Sequence, residues 1–224
     1  MQPKVYLDYC ATTPVHPIVR DRMVFVLDEC YGNPSSLHSV GSDAKRLVDQ
    51  ARIVVAEGIG SLPDEILFTS GATEADNLAL FGTLRRFLPS EAHLITSAIE
   101  HHAILHAANL LEREGYSVTR LPVDRQGLVD PDAVRRAVRP ETKLISIMLV
   151  NNEVGSIQPV REIGRIARDR RVAFHTDAVQ AVGLFAVDVD DLNVDMLSLS
   201  GHKIYGPKGI GALFIHSGVE LSPM

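Results

Sequence analysis

The stretch VDMLSLSGHKIYGPKGIGALFI, residues 194–215, sets two apolar runs on either side of a polar turn that carries Lys203. Runs of this length bounded by glycine and proline read as buried strands. No helical segment fits between them, so they are predicted to lie side by side and antiparallel, with the turn delivering Lys203 to the end of a sheet. A lysine in such a turn is ordinarily solvated, because an ammonium is rarely buried without a partner. It becomes a site residue only if the rest of the chain brings complementary groups to the same place.

The same punctuation recurs upstream. EILFTS (65–70), HLITSA (93–98), YSVTRLPV (116–123), KLISIMLV (143–150) and VAFHTD (172–177) are further strand candidates. Residues 44–59, 74–88, 103–115, 131–139 and 160–169 return apolar side chains every three or four positions, as helices do. This alternation predicts an α/β fold, a mostly parallel sheet with helices on both faces and at least one antiparallel strand near its end. With no repeat and no polar linker, one domain is expected over 17–224, after an extended N-terminal segment at 1–16.

Composition narrows the function. The chain has 224 residues, 46% hydrophobic and 22% charged, and a net charge of −6 without any basic block. Nucleic acid and anionic membranes are therefore poor partners, which leaves small molecules and proteins. The N-terminus has no signal-peptide pattern and no run is long enough to cross a bilayer, so a cytoplasmic location is expected. Cys10 and Cys30 form neither a metal-ligand spacing nor a disulfide framework, which fits a reducing compartment.

Ligands of open α/β sheets gather beyond the carboxyl ends of the strands. Five polar segments follow strand candidates there: SGATE, IEHH, NNE, DAVQ and SGHK. In the first, Gly71 permits close backbone approach and Thr73 offers a hydroxyl at a helix start, an arrangement suited to a phosphate or to an ordinary helix cap. Asp177 follows an apolar strand, where a carboxylate needs a cation, either a pyridinium nitrogen or an arginine. Gln180 can donate to a phenolic oxygen, His101 can lie over an aromatic ring, and His102 begins the next helix. Ser200 and His202 are donors within reach of the same phosphate as Thr73. Lys203 suits a Schiff-base nucleophile, whose amine must be neutral part of the time. His102 and His106 have a zinc-compatible spacing but no third ligand, so no metal is expected. The arginines at 85–86 and at 168, 170 and 171 read as solvated helix ends.

In this order the blocks VYLDYCATTP, GNPSSLHSVG, FTSGATEADNLAL, ITSAIEHHAIL, SIMLVNNEVGSIQP, FHTDAVQAVG and SLSGHKIYGPKGIGALFI resemble the cysteine desulfurases, pyridoxal 5'-phosphate enzymes of the class V aminotransferase type. The resemblance implies the large domain of the fold type I transferases, here without the C-terminal small domain. It implies that Lys203 carries the cofactor, Asp177 pairs with the ring nitrogen, Gln180 donates to the ring oxygen, and His101 stacks on the ring and carries a proton. Ala72, Thr73, Ser200 and His202 would hold the phosphate. Asn152 would lie near the ring oxygen and the substrate carboxylate, while Asn151 reads as a turn residue. The implied reaction converts L-cysteine to L-alanine and a protein persulfide for iron-sulfur or thio-cofactor assembly, in a homodimer serving a sulfur-acceptor or scaffold protein. The sequence departs from the family after residue 224, before the substrate-carboxylate arginine and the catalytic-cysteine loop, and neither Cys10 nor Cys30 occupies that cysteine's position. A cystine or cysteine lyase or an aminotransferase of the same fold, and a non-catalytic cofactor-binding or partner subunit, are the competing readings.

Overall fold

The computed structural model describes residues 5–223. The seven apolar runs become β1 (Ile66–Thr69), β2 (His93–Ser97), β3 (Ser117–Leu121), β4 (Thr142–Ser146), β5 (Ala173–Asp177), β6 (Met196–Ser200) and β7 (Gly211–Ile215). The helices are α1 (Pro17–Glu29), α2 (Ser39–Glu57), α3 (Ala72–Leu84), α4 (His102–Arg113), α5 (Pro131–Ala137), α6 (Val160–Arg170) and α7 (Val189–Leu192). The strands form one sheet in the order β1-β7-β6-β5-β4-β2-β3. Only β7 runs against its neighbours, β1 and β6, as residues 194–215 predict. None of the described helices is long and apolar enough to cross a membrane.

Strand alternation builds two cores. Leu94, Leu144, Met196 and Leu213 face α3 and α4, whereas Ile95, Ile145, Leu197 and Phe214, each one residue further on, join the opposite cluster with α6. Successive side chains of a strand point to opposite faces, so continuous apolar runs are what a sheet covered on both sides requires.

Several boundaries differ from the sequence reading. The 44–59 helix starts earlier, at Ser39, because the His38 ring accepts from the Gly41 N–H and caps it. The 74–88 helix begins at Ala72 and stops at Leu84, where the chain turns before Pro89. α1 and the single turn of α7 were not anticipated; α1 buries none of its residues, so it has no apolar stripe to betray it. Of the extended segment at 1–16, residues 1–4 lie outside the described residues. The remainder packs against the lysine turn: Thr13 donates to the His202 carbonyl through its N–H (3.0 Å) and its hydroxyl (2.9 Å), and the His16 N–H donates to the Tyr205 carbonyl (2.9 Å).

The sheet order fixes where a ligand can sit. From β2 the chain moves outward to β3, then returns to β4 on the other side of β2 and continues through β5 and β6. The crevice between β2 and β4 is thus a topological switch point. At the other end of the site, Gly211 pairs with both Ser200 and Thr69, the last residues of β6 and β1. A Cβ at Gly211 would stand 2.7 Å from the Leu199 carbonyl oxygen and 2.8 Å from the Gly71 backbone. Gly211→Ala is therefore expected to cost about 1–3 kcal/mol through overpacking against backbone that cannot yield. Denaturant unfolding measures this, and an unchanged midpoint would refute the close approach.

Two buried histidines make the fold acid-sensitive. His93 lies between the hydroxyls of Thr142 (2.9 Å) and Thr119 (2.8 Å), and burial pushes its pKa down to about 4. His175 is fully buried and pushed down to about 3 by desolvation. The unfolded chain takes up these protons near the ordinary value of 6.5. The folded chain does not, so stability falls as pH drops below that value, and His93's share of the loss stops growing near pH 4. His93→Gln is expected to flatten this limb in a pH series of urea unfolding curves; an unaltered slope would mean that His93 is not held neutral.

Candidate active site

All five polar segments singled out in the sequence reach one cavity of about 640 Å³. Ala72 and Thr73, His101, Asn152, Asp177 and Gln180, and Ser200, His202 and Lys203 each line it.

Its anion-binding end is the start of α3. Gly71 has no side chain with which to cap the helix. The N–H groups of Ala72 and Thr73 take no partner among the described residues, so they point at the cavity with the positive end of the helix dipole. Ser70 is unavailable, since both its N–H (2.7 Å) and its hydroxyl (2.5 Å) donate to the Glu74 carboxylate. Those two bonds hold Glu74 below the usual carboxylate range. Gly211 lets this loop and the Ser200 strand end close to within backbone contact.

Asp177 ends β5 and is only 6% exposed. Its Oδ1 accepts from the Val179 N–H (2.9 Å), and Oδ2 takes no hydrogen bond from the described residues. Burial raises its pKa, with His101 and Lys203 pulling it back. No arginine lies in salt-bridge reach among the described residues, so the structural ion pair considered from sequence is not formed.

Lys203 stands on a single 3₁₀ turn after β6. Burial lowers its pKa, opposed by Cys10, Asp177 and Asp8. Its Nζ donates to the main-chain carbonyls of Cys10 and of Ala11, the latter at 2.9 Å. Gln180 Nε2 also donates to the Cys10 carbonyl, at 3.0 Å. His202 faces Thr12, its Nδ1 3.1 Å from the hydroxyl oxygen. Desolvation lowers its pKa, with help from Lys203 and Lys208, which favours the neutral ring.

His101 caps α4: its Nδ1 accepts from the Ala103 N–H at 3.2 Å, so a neutral ring carries its proton on Nε2. Asn151 behaves as the turn residue expected, its Oδ1 accepting from the N–H groups of Glu153 and Val154, both at 2.9 Å. Asn152 beside it lines the cavity. Beneath lies Glu100, whose carboxylate accepts from the Ser97 hydroxyl (2.6 Å) and from the Met148 N–H (3.1 Å); burial pushes it up to about 8.

The sequence reading missed the apolar wall. Met148 and Val150 line the cavity two residues apart, consistent with period-2 alternation, but an apolar run says nothing of which ends face a ligand. Asp8, Cys10 and Ala11 close another side. The backbone carbonyls of Cys10 and Ala11, not their side chains, hold Lys203, and that of Cys10 also holds Gln180; no residue type signals that. The rings of His102 and His106 lie 5.2 Å apart, and no group of three metal-ligating side chains occurs among the described residues.

A family model described as aminotransferase class-V matches residues 5–224. The chain is 49% identical over its whole length to a cysteine desulfurase IscS of Dictyoglomus turgidum, covering 57% of that protein. It is 50% identical over 98% of its length to one of Methanosarcina thermophila, covering 54%. The chain thus spans a little over half the length of these curated relatives. Among solved structures it superposes with a TM-score of 0.96 on SspA in complex with cysteine, at 44% identity over 99% of this chain and 64% of that one. A NifS-like protein gives the same TM-score at 40% identity. A mostly parallel sheet closed by an antiparallel β7, a lysine turn facing a buried carboxylate, and a family match across every described element together lead to one conclusion: this chain belongs to the class-V aminotransferase family.

Proposed function

We propose that this chain is the cofactor-binding part of a pyridoxal 5'-phosphate-dependent cysteine desulfurase. The observation that carries the reading is Lys203, half-buried with a lowered pKa, in the same cavity as the Oδ2 of Asp177 and the open N–H groups of α3. This donor set fits the cofactor: an amine for its aldehyde, a carboxylate for its ring nitrogen, amides and hydroxyls for its phosphate. The identity to proteins named cysteine desulfurase, and a structural neighbour solved with cysteine, favour L-cysteine as substrate over the lyase and aminotransferase readings.

Ala72, Thr73, Ser200 and His202 would hold the phosphate, Gln180 the ring oxygen, and His101 one face of the ring. The bound cofactor supplies an electron sink for a carbanion at the substrate α-carbon. Asp177, ionised against the ring nitrogen, would keep that nitrogen protonated. Lys203 would take the α-proton on Nζ, and burial, which lowers its pKa, favours the neutral amine that can do so. His101 Nε2 offers a second proton-carrying atom, and Asn152 orients the substrate carboxylate. In the net reaction an acceptor thiol takes the cysteine sulfur: the Cβ–S bond breaks, an S–S bond forms, and thiol plus cysteine become persulfide plus alanine. The acceptor is a thiol other than Cys10 or Cys30, and the product serves iron-sulfur or thio-cofactor assembly through a sulfur-acceptor or scaffold protein. A cytoplasmic homodimer is the proposed setting; α1 buries no residue and Leu37 is fully exposed, which leaves apolar surface for association.

Pyridoxal phosphate followed by borohydride is expected to label Lys203, as peptide mass spectrometry would show, and Lys203→Ala to abolish the label. A label spread over surface lysines with Lys203 unmodified would refute the site. Residues 1–224 alone are further expected to capture the cofactor yet to yield no alanine from L-cysteine above a cofactor-only control, with or without Cys10→Ser. Alanine formation that disappears in Cys10→Ser would instead make Cys10 the sulfur acceptor.

A further inference from the structure

Behind Asp177 lies a second polar layer that the proposed chemistry does not use. Asp76, on the second turn of α3, is completely buried, and neither of its carboxylate oxygens has a hydrogen-bond partner. α3 packs across β4, β5, β6 and β7, which places Asp76 over a row of side chains from three adjacent strands. His175 of β5 forms the middle of that row. Its Nδ1 lies 2.9 Å from the hydroxyl of Ser146 on β4 and its Nε2 2.9 Å from the hydroxyl of Ser198 on β6. Asp76 Oδ1 stands 3.6 Å from the same Nε2. His175 is two residues before Asp177 on one strand, so both project from the same face, and Ser198 pairs with Asp177 across the sheet.

The distances discriminate between two charge states. An imidazolium beside a carboxylate closes to about 2.7–2.9 Å. At 3.6 Å the pair is not even hydrogen-bonded, and His175 directs both nitrogens to serine hydroxyls instead, as a neutral ring can. Without that cation, an ionised Asp76 would be a bare charge in dry core. Leaving a neutral polar group unpartnered there costs a few kcal/mol, whereas a lone carboxylate costs many times more. Burial is the main cause that raises the Asp76 pKa well above its ordinary value; Asp177 at the end of β5 and Glu100 after β2, both deeply buried, add to it, and the nearby Ser198 hydroxyl only pulls it part of the way back.

On this geometry we propose that Asp76 is a neutral carboxylic acid and that Asp76 with the Ser146–His175–Ser198 row forms a positioning layer, which orients Asp177 and leaves it the one carboxylate that ionises against the cofactor ring. The second half of this statement rests on the function proposed above; the protonation of Asp76 does not. Asp76 and His175 touch no substrate and act only through Asp177.

Isotope-edited infrared spectra of the cofactor-free chain, labelled at aspartate carboxyls, are expected to show at neutral pH a protonated-carboxyl band that Asp76→Asn removes. The ¹⁵N signals of His175 in the unmutated chain are expected to report a neutral ring under the same conditions. Doubly protonated His175, or a band indifferent to Asp76→Asn, would overturn the assignment, and the imidazole measurement decides it even if the variant fails to fold. In the pyridoxal phosphate-loaded chain, His175→Phe is expected to move the midpoint of the cofactor's visible absorption titration by about tenfold in proton concentration, one pKa unit. His175→Gln, which can still bridge the serines, is expected to restore it. An unmoved midpoint in His175→Phe would refute the positioning role. Failure of the chain to capture pyridoxal phosphate would count against the proposed function, while the infrared and imidazole signals would still settle the state of Asp76.

Discussion

The architecture of the site depends on one close approach, that of Gly211 to the ends of β6 and β1. β7 runs antiparallel between two strands that both end at the ligand side of the sheet, so its first residue must pass between the turn that leads to α3 and the turn that carries Lys203. With a Cβ 2.7 Å from the Leu199 carbonyl, those two turns could not stay where they are. The anion-binding end and the lysine are thus held at a fixed separation by backbone contact rather than by side chains, and backbone is the least adaptable part of a protein.

Around this frame the sheet gathers acidic groups where water is scarce. Asp76, Glu100 and Asp177 all sit at 6% exposure or less, close enough for each to be felt by a neighbour. Three carboxylates in dry core cannot all be charged, and the hydrogen bonds they receive are unequal: Glu100 has a hydroxyl and an amide, Asp177 one amide, Asp76 none. Of the three, only Asp177 lines the cavity, so it is the one that a cation bound there can meet.

Much of this was legible in the sequence because strands and their ends announce themselves. The apolar runs gave the sheet, the missing helix before GIGALFI gave its antiparallel strand, and the polar residue after each run gave Thr73, His101, Asn152, Asp177 and Lys203. What stayed hidden is set by tertiary packing. α1 shows no amphipathic period because none of its residues is buried against the described structure. Met148 and Val150 look like any core residues. His175 and Asp76 read as a polar residue inside a strand and one inside a helix, and only the crossing of α3 over β5 brings them together. The pairing of Lys203 with main-chain carbonyls has no sequence signature at all.

That last pairing ties the beginning of the chain to its chemistry. Nζ of Lys203 has three protons to give, and two main-chain oxygens of residues 10 and 11 now accept from it, while Gln180 holds the first of those oxygens as well. Docking of the N-terminal arm thus sets where the Lys203 nitrogen stands in the cavity. The arm acts as a brace, so a change of backbone at residues 10 and 11 is felt directly at Lys203.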